Sequence, residues 1–127
     1  MRRLTTRAAL AAALALGPAF AGAQELVMFD APGCYWCAKW TEEIGPIYPK
    51  TAEGERAPLR RVSIAAPMPA DLPEIGRIVY TPTFVLVHDG AEIGRIEGYP
   101  GEDFFWGLLT RLVDELPRTP NNNEGEG

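Results

Sequence analysis

The 127-residue sequence predicts an α/β domain in which helices cover a four-stranded mixed sheet. Two short, continuous apolar runs, 26–29 and 83–87, are typical of buried strands. An alternating stretch at 59–64 and a hairpin signal at 89–90 indicate two more strands. Apolar residues that recur every three or four positions then predict one helix after the first strand and another at the end of the domain.

The first strand, Leu26 to Phe29, ends in the turn Asp30-Ala31-Pro32-Gly33. A helix is expected to begin at Cys34 and to be broken or kinked at Gly45-Pro46, because proline removes a backbone donor. The pattern assigns four residues to its apolar face: Trp36, Trp40, Ile44 and Ile47.

In the second strand, Leu59 to Ile64, the alternation predicts that Val62 and Ile64 point inward. The stretch that follows, 66–82, is rich in proline and glycine. We expect one short helix there, around Leu72 to Ile78.

The third strand, Thr83 to Val87, is followed by Asp89-Gly90, a strong hairpin signal. The partner strand, Ala91 to Glu97, is expected to be irregular at Gly94, since a glycine inside a strand often marks a bulge. Acidic residues then open the last helix, where they favour the positive end of the helix dipole. Its predicted buried stripe comprises Phe104, Phe105, Leu108, Leu109, Leu112, Val113 and Leu116.

The two ends of the chain have compositions unlike the rest. Residues 1–23 combine three arginines, an apolar run and a small-residue triplet, as a cleaved secretory signal peptide does, and the run is short for a membrane anchor. Residues 117–127, rich in proline, asparagine and glycine, predict a disordered tail. The folded domain is therefore expected at 24–116, outside the cytosol, in a periplasm if the host is Gram-negative.

Charge argues against a nucleic-acid partner. Removal of residues 1–23 takes three of the twelve basic residues and none of the seventeen acidic ones, which leaves a formal net charge of -8. Such a chain repels phosphate backbones.

The two cysteines, Cys34 and Cys37, lie between the first strand and the first helix. This CxxC position, with the element order above, is typical of a minimal thioredoxin-like fold. A sulfur at a helix start faces unpaired N–H groups and the positive end of the dipole, so Cys34 is the expected nucleophile. Cys37, one turn further on and more shielded, would resolve the mixed disulfide.

Two other interpretations of the cysteines remain. A structural disulfide is common in small secreted domains, but a three-residue clip constrains the unfolded chain very little. Metal binding needs about four ligands, and the chain adds one histidine and scattered carboxylates. We therefore expect no metal and no cofactor other than the redox-active disulfide.

The segment YTPTF, 80–84, precedes the third strand. In thioredoxin-like proteins a proline here has a cis peptide bond and faces the CxxC pair, and the residue before it pairs with the substrate backbone. This implies a substrate-binding role for Thr81 and Pro82. Tyr35, Trp36 and Gly98 are further candidates for substrate contact, although the helical pattern of Trp36 favours a core position.

Longer stretches make the resemblance more specific. PGCYWC at 32–37, EIGPIYPKTAEG at 43–54, APLRRV at 57–62 and TPTFVLVHDGAEIGRIEGYPGEDFFWGLL at 81–109 resemble the SoxS-type periplasmic thioredoxins of bacterial sulfur-oxidation (Sox) systems. The resemblance covers nearly the whole predicted domain.

This resemblance implies a periplasmic thiol-disulfide oxidoreductase that acts on protein thiols. We also expect the protein to be a monomer. The implied client is the sulfur-carrier protein of thiosulfate oxidation, whose cysteine is inactivated as a disulfide or polysulfide. The implied electron donor is a membrane thiol transporter. Alternatives are a disulfide oxidant, a cytochrome c maturation factor or a non-catalytic copper-binding module.

The sequence departs from ordinary thioredoxin at two positions beside the cysteines. Met28 stands where thioredoxin has a buried aspartate that assists proton transfer at the second cysteine, and Gly33 stands where it has a tryptophan. We therefore expect a slower general reductase with fewer clients. Asp30 would oppose thiolate formation if it came near Cys34.

Overall fold

The computed structural model describes residues 24–118 and contains one four-stranded sheet in the order β2-β1-β3-β4. Its elements are β1 Gln24–Asp30, α1 Tyr35–Glu43, a 3₁₀ turn Tyr48–Lys50, α2 Ala52–Arg56, β2 Leu59–Ser63, β3 Thr83–His88, β4 Ala91–Glu97 and α3 Glu102–Asp114. β1 pairs in parallel with β2 and antiparallel with β3, which pairs antiparallel with β4. The predicted α/β fold with a mixed sheet is confirmed.

Most of the two chain ends lies outside the described residues. The predicted signal peptide, 1–23, lies outside them, and so does the predicted tail except for residues 117 and 118, which have no regular structure. Within 24–118 no helix is both long and apolar enough to cross a membrane.

The two central strands are buried on both faces, which explains why their sequences read as continuous apolar runs. Alternate residues of β1 point to opposite sides, so Leu26 and Met28 join the main core while Val27 and Phe29 join a smaller cluster. The main core lies on the side covered by α1 and α3. The smaller cluster lies on the other side, where Leu72 covers it.

Aromatic side chains fill the centre of the main core. The ring of Trp40 lies 5.1 Å from that of Phe84 and 5.7 Å from that of Phe105, and the last two are 5.0 Å apart in an edge-on arrangement. All three side chains are fully buried. α1, β3 and α3 are therefore joined by aromatic contacts of the kind that adds to simple area burial.

The buried face of α1 is narrower than its sequence predicts. Trp40 and Ile44 are buried as expected, but Trp36 is 51% exposed and Ile47 also reaches the surface. α1 begins at Tyr35 and ends at Glu43, so Trp36 sits in the first turn and Ile47 lies beyond the helix. The prediction of a core position for Trp36 is wrong.

The buried face of α3 is also narrower than its sequence predicts. Phe105, Leu109 and Val113 are buried, but Phe104 is 72% exposed and Leu108 is also exposed. The sheet buries only one narrow face of α3. The predicted stripe includes two neighbouring residues at each turn, and the one further from the sheet faces solvent.

The segment 64–82 contains no helix, so the helix predicted around Leu72 to Ile78 is wrong. Pro73 and Gly76 interrupt any helical run there. Two arginines secure the segment instead: Arg60 binds Asp71 at 2.6 and 3.0 Å, and Arg95 donates a hydrogen bond to the Arg77 carbonyl at 2.9 Å.

The two flanking strands differ slightly from prediction. The pairing of β3 with β4 shifts between Leu86, opposite Gly94, and Val87, opposite Glu92, so the bulge expected near Gly94 is confirmed. In β2, Val62 packs against the smaller cluster as predicted. Ile64 follows the end of β2 and is exposed, contrary to prediction.

Helix α2 was not predicted, because its five residues are too few for a periodic pattern. Its N-cap is Thr51, whose hydroxyl accepts from the Gly54 N–H at 3.0 Å and donates to the Tyr48 carbonyl at 2.6 Å. Gly54 is buried so closely against that carbonyl that no side chain fits.

We expect Gly54→Ala to destabilise the fold by about 2 to 3 kcal/mol, because the new methyl group would overlap the Tyr48 carbonyl oxygen. Gly107→Ala is the matched control: Gly107 is an exposed residue of α3 with open space around it, so alanine there should stabilise by about 0.5–1 kcal/mol. Urea unfolding of both variants measures the difference. Equal effects of the two substitutions would contradict the close contact at Gly54.

The end of α1 is fixed by a polar cluster around Glu43. Lys39 binds this carboxylate at 2.6 Å, and the Tyr99 hydroxyl donates to it from the loop after β4. The hydrogen bond from Lys39, and then that from Tyr99, hold the pKa of Glu43 below its ordinary value. Burial and the Glu43 carboxylate raise the pKa of Tyr99.

We expect Tyr99→Phe to raise the pKa of Glu43, because one of the donors that stabilise the carboxylate is lost. A carboxylate whose pKa is lowered by folding stabilises the fold above its unfolded pKa, and this contribution is lost as the pH falls through the folded pKa. The difference in unfolding midpoint between wild type and Tyr99→Phe should therefore narrow in acid. NMR titration of the Glu43 carboxyl carbon tests the shift, and an unchanged Glu43 pKa would contradict it.

Candidate active site

Cys34 occupies the N-cap position of α1. The turn before it is closed by a 3.2 Å hydrogen bond from the Cys34 N–H to the Ala31 carbonyl, and Gly33 adopts the positive φ that this turn requires. The sulfur of Cys34 accepts a hydrogen bond from the Cys37 N–H at 3.1 Å. In the reduced protein, this N–H and the helix dipole would stabilise a Cys34 thiolate.

Cys34 and Cys37 form a disulfide, and their surroundings differ. Cys34 is half-buried, whereas Cys37 is 4% exposed and belongs to the main core with Met28 and Trp40. The Cys37 carbonyl accepts a hydrogen bond from the Thr41 hydroxyl at 2.8 Å, which fixes the first turns of α1. A partner protein therefore reaches the sulfur of Cys34 more easily than that of Cys37.

Strand pairing brings the second predicted segment to the same end of the sheet. Phe29 of β1 lies opposite Thr83 of β3, directly after the Thr81-Pro82 bond, which is cis. The Thr83 hydroxyl donates to the Tyr80 carbonyl at 2.6 Å and so closes the turn between them. Thr81 is half-buried and Pro82 is buried.

Gly98 lies at this end as well, because Thr83 is paired with Glu97 at the end of β4. Its N–H donates to the Pro82 carbonyl at 2.7 Å, and its φ is +79°, a value that disfavours other residues. The structure thus brings the CxxC turn, Thr81-Pro82 and Gly98 to one edge of the sheet.

Aromatic side chains surround this edge. Tyr35 is 68% exposed and packs edge-on against Trp36, with ring centroids 5.0 Å apart. Tyr80, beside Thr81, is exposed too. Tyr35 and Trp36 are among the candidates for substrate contact predicted from the sequence, but Tyr80 is not. The position of Tyr80 directly before Thr81-Pro82 would have indicated it.

A cavity of about 690 Å³ opens beside the disulfide. Its lining includes both cysteines, Asp30 from the end of β1, Glu42 of α1 and Arg61 of β2. Arg61 holds one carboxylate oxygen of Asp30, from Nη2 at 3.0 Å and from Nε at 3.2 Å. Asp30 therefore lies at the disulfide site, together with a positively charged partner that no local sequence pattern indicates.

The structure also bears on metal ligands. Among residues 24–118, no three or more histidine, cysteine or acidic side chains are grouped so that they would hold a metal ion. What the described residues offer at this edge is a dithiol or disulfide pair with one accessible sulfur.

Solved structures of other proteins are similar to this chain. The periplasmic thioredoxin SoxS from Paracoccus pantotrophus, crystallised in its reduced form, is 49% identical, with a TM-score of 0.70 over 72% of this chain and 97% of the other. The thioredoxin of Fasciola hepatica is 24% identical, with a TM-score of 0.53 over 71% of this chain and 81% of the other, and supports the fold. No model of a protein family and no curated protein matches this sequence.

The match to SoxS extends over nearly all of that protein, and the Cys34–Cys37 disulfide of this chain lies in a CxxC motif at a helix start. The chain therefore belongs to the SoxS-type thioredoxins of the thioredoxin-like superfamily and is a thiol-disulfide oxidoreductase.

Proposed function

We propose that this protein is a periplasmic reductase that removes inactivating disulfide or polysulfide adducts from the sulfur-carrier protein of a thiosulfate-oxidising system. The observation that carries the proposal is the Cys34–Cys37 disulfide, with one sulfur accessible at the N-terminus of α1. The 49% identity to a periplasmic SoxS supports the client and the compartment. The composition of residues 1–23 supports export through a cleaved signal peptide.

The chemistry follows from the positions of the two thiols. In the reduced protein, the Cys34 thiolate attacks the client disulfide, so one client sulfur leaves as a thiolate and takes up a proton. Cys37 then loses its proton and attacks the Cys34 sulfur of the mixed disulfide. The second client sulfur is released, and the Cys34–Cys37 disulfide forms. Two electrons have passed from the protein to the client.

The edge around Cys34 provides a surface for an extended client segment. The Thr81-Pro82 turn lies at the same edge of the sheet as the cysteine turn, so the Thr81 backbone would pair with that segment, and Pro82 and Gly98 would lie beneath it. The exposed rings of Tyr35 and Trp36 would contact it over Cys34. Exposed aromatic groups of this kind contribute strongly to protein interfaces.

A further turnover requires new electrons. The oxidised protein must receive two electrons from a dithiol, which attacks the Cys34–Cys37 disulfide by the reverse of the steps above. We propose that a membrane thiol transporter supplies them.

We expect Cys37→Ser to accumulate a covalent complex with the client through Cys34, because the mixed disulfide lacks its resolving thiol. The variant is expressed in the periplasm of a thiosulfate-oxidising host, and the complexes are separated on non-reducing gels and identified by mass spectrometry. Cys34→Ser/Cys37→Ser is the control and should trap nothing.

The identity of the trapped protein decides the client. A sulfur-carrier subunit linked to Cys34 would support the proposal in full. Different trapped proteins would replace the client and keep the redox chemistry. A folded, exported Cys37→Ser protein that traps no partner would contradict the reductase function.

We expect the Cys34–Cys37 couple to be reducing, with a potential nearer to about -270 mV than to about -120 mV, the values of a thioredoxin and of a strong periplasmic oxidant. Equilibration with dithiothreitol or glutathione buffers, followed by quantification of the free thiols, measures it. A potential near that of the oxidant would reverse the proposed direction of electron flow.

A further inference from the structure

We infer that Asp30 and Arg61 place opposite charges beside the Cys34 thiol, so that each charge offsets the effect of the other on the acidity of this thiol. Asp30 and Arg61 are thus positioning residues for the redox reaction and do not themselves react. The inference deepens the proposed function and rests on it, since the Cys34 thiolate is the proposed nucleophile.

The pleat of the sheet determines where these two side chains lie. Asp30 follows Met28 by two residues in β1, so both point to the same face, and Met28 packs in the main core with Cys37. Arg61 is in register with Met28 on the parallel strand β2 and shares that face. Both charged groups therefore lie on the α1 side of the sheet, at its cysteine end.

The cavity beside the disulfide shows that the charges share a space with the thiols. Asp30, Arg61, Cys34 and Cys37 all line it. The Asp30 side chain is 22% exposed, so it is only partly screened by solvent. Its contacts with Arg61, at 3.0 and 3.2 Å, fix the two charges against each other.

The signs of the two charges give opposite effects on a thiolate. A carboxylate beside Cys34 disfavours the negative thiolate, and a guanidinium beside it favours the thiolate. Together they form a nearly neutral pair, so each effect is offset while the pair is intact. Removal of one partner exposes the full effect of the other.

Other ionisable groups surround the same site. Tyr35 and Glu42 of α1 line the cavity, Tyr80 precedes the Thr81-Pro82 turn, and Glu97 ends β4 beside Gly98. They are identical in all the variants compared below. A difference between two variants therefore reports the altered charge and not the background.

The test measures the pKa of Cys34 in full-length protein carrying Cys37→Ser, from the pH dependence of its alkylation by iodoacetamide. We expect Arg61→Met to raise this pKa by about half a unit, a threefold loss of thiolate at a pH below it. Asp30→Asn should lower it by a similar amount. The double variant Asp30→Asn/Arg61→Met should return it close to the value of the parent.

Arg60→Met is the matched control. Arg60 is the neighbour of Arg61 in β2 but points to the opposite face, where it binds Glu25 and Asp71. The Arg60→Met variant loses one positive charge and a comparable ion pair, as Arg61→Met does. It should nevertheless leave the pKa of Cys34 unchanged. Higher ionic strength should reduce the shifts in the Arg61 and Asp30 variants, because salt screens partly exposed charges.

Shifts of Arg61→Met and Asp30→Asn in the same direction, or shifts no larger than that of Arg60→Met, would overturn the inference. A general loss of structure produces no opposite shifts that cancel in the double variant, so the cycle separates electrostatics from folding. Because iodoacetamide replaces the client, the result does not depend on which protein the Cys37→Ser trap identifies. Failure of the trap and failure of this test are thus distinct outcomes.

Discussion

The pairing of β1 with β3 is the constraint on which the redox site depends. Phe29 and Thr83 are partners in that pairing. The cysteine turn follows Phe29 within a few residues, and the Thr81-Pro82 turn directly precedes Thr83. The register brings the cysteine turn after β1 and the Thr81-Pro82 turn before β3 to one edge of the sheet. A slip of one residue would turn Met28 and Phe84 out of the main core, so burial of these side chains also fixes the geometry of the site.

Sequence patterns predicted the sheet and the cysteine helix well, because burial acts on whole runs of residues. The central strands are apolar on both faces, and their short length between turn residues distinguishes them from buried helices. The Asp89-Gly90 hairpin and the bulge near Gly94 followed from local backbone preferences that need no tertiary information.

The failures share a physical cause, since they concern which side of an element meets a neighbour. Periodicity placed Trp36 and Phe104 on apolar stripes, but the width of the stripe depends on how far the sheet extends beneath each helix. The segment 64–82 has no helix or strand, and contacts with arginines of β2 and β4, which no local pattern indicates, hold it in place. The Asp30–Arg61 pair was invisible as well, since its members lie 31 residues apart and meet through strand register.

The irregular segment 64–82 has an evolutionary consequence. It covers one face of the sheet through a few anchors, Leu72 among them, while its backbone adds no strand or helix to the fold. Insertions, deletions and substitutions between the anchors would leave the register of β1 and β3 unchanged, because no residue of 64–82 takes part in that pairing. Near its end the segment carries the exposed Tyr80, beside Thr81, so changes of sequence there would alter the surface around the redox site without altering the disulfide. The surface around the redox site and the redox chemistry can therefore change separately in this protein.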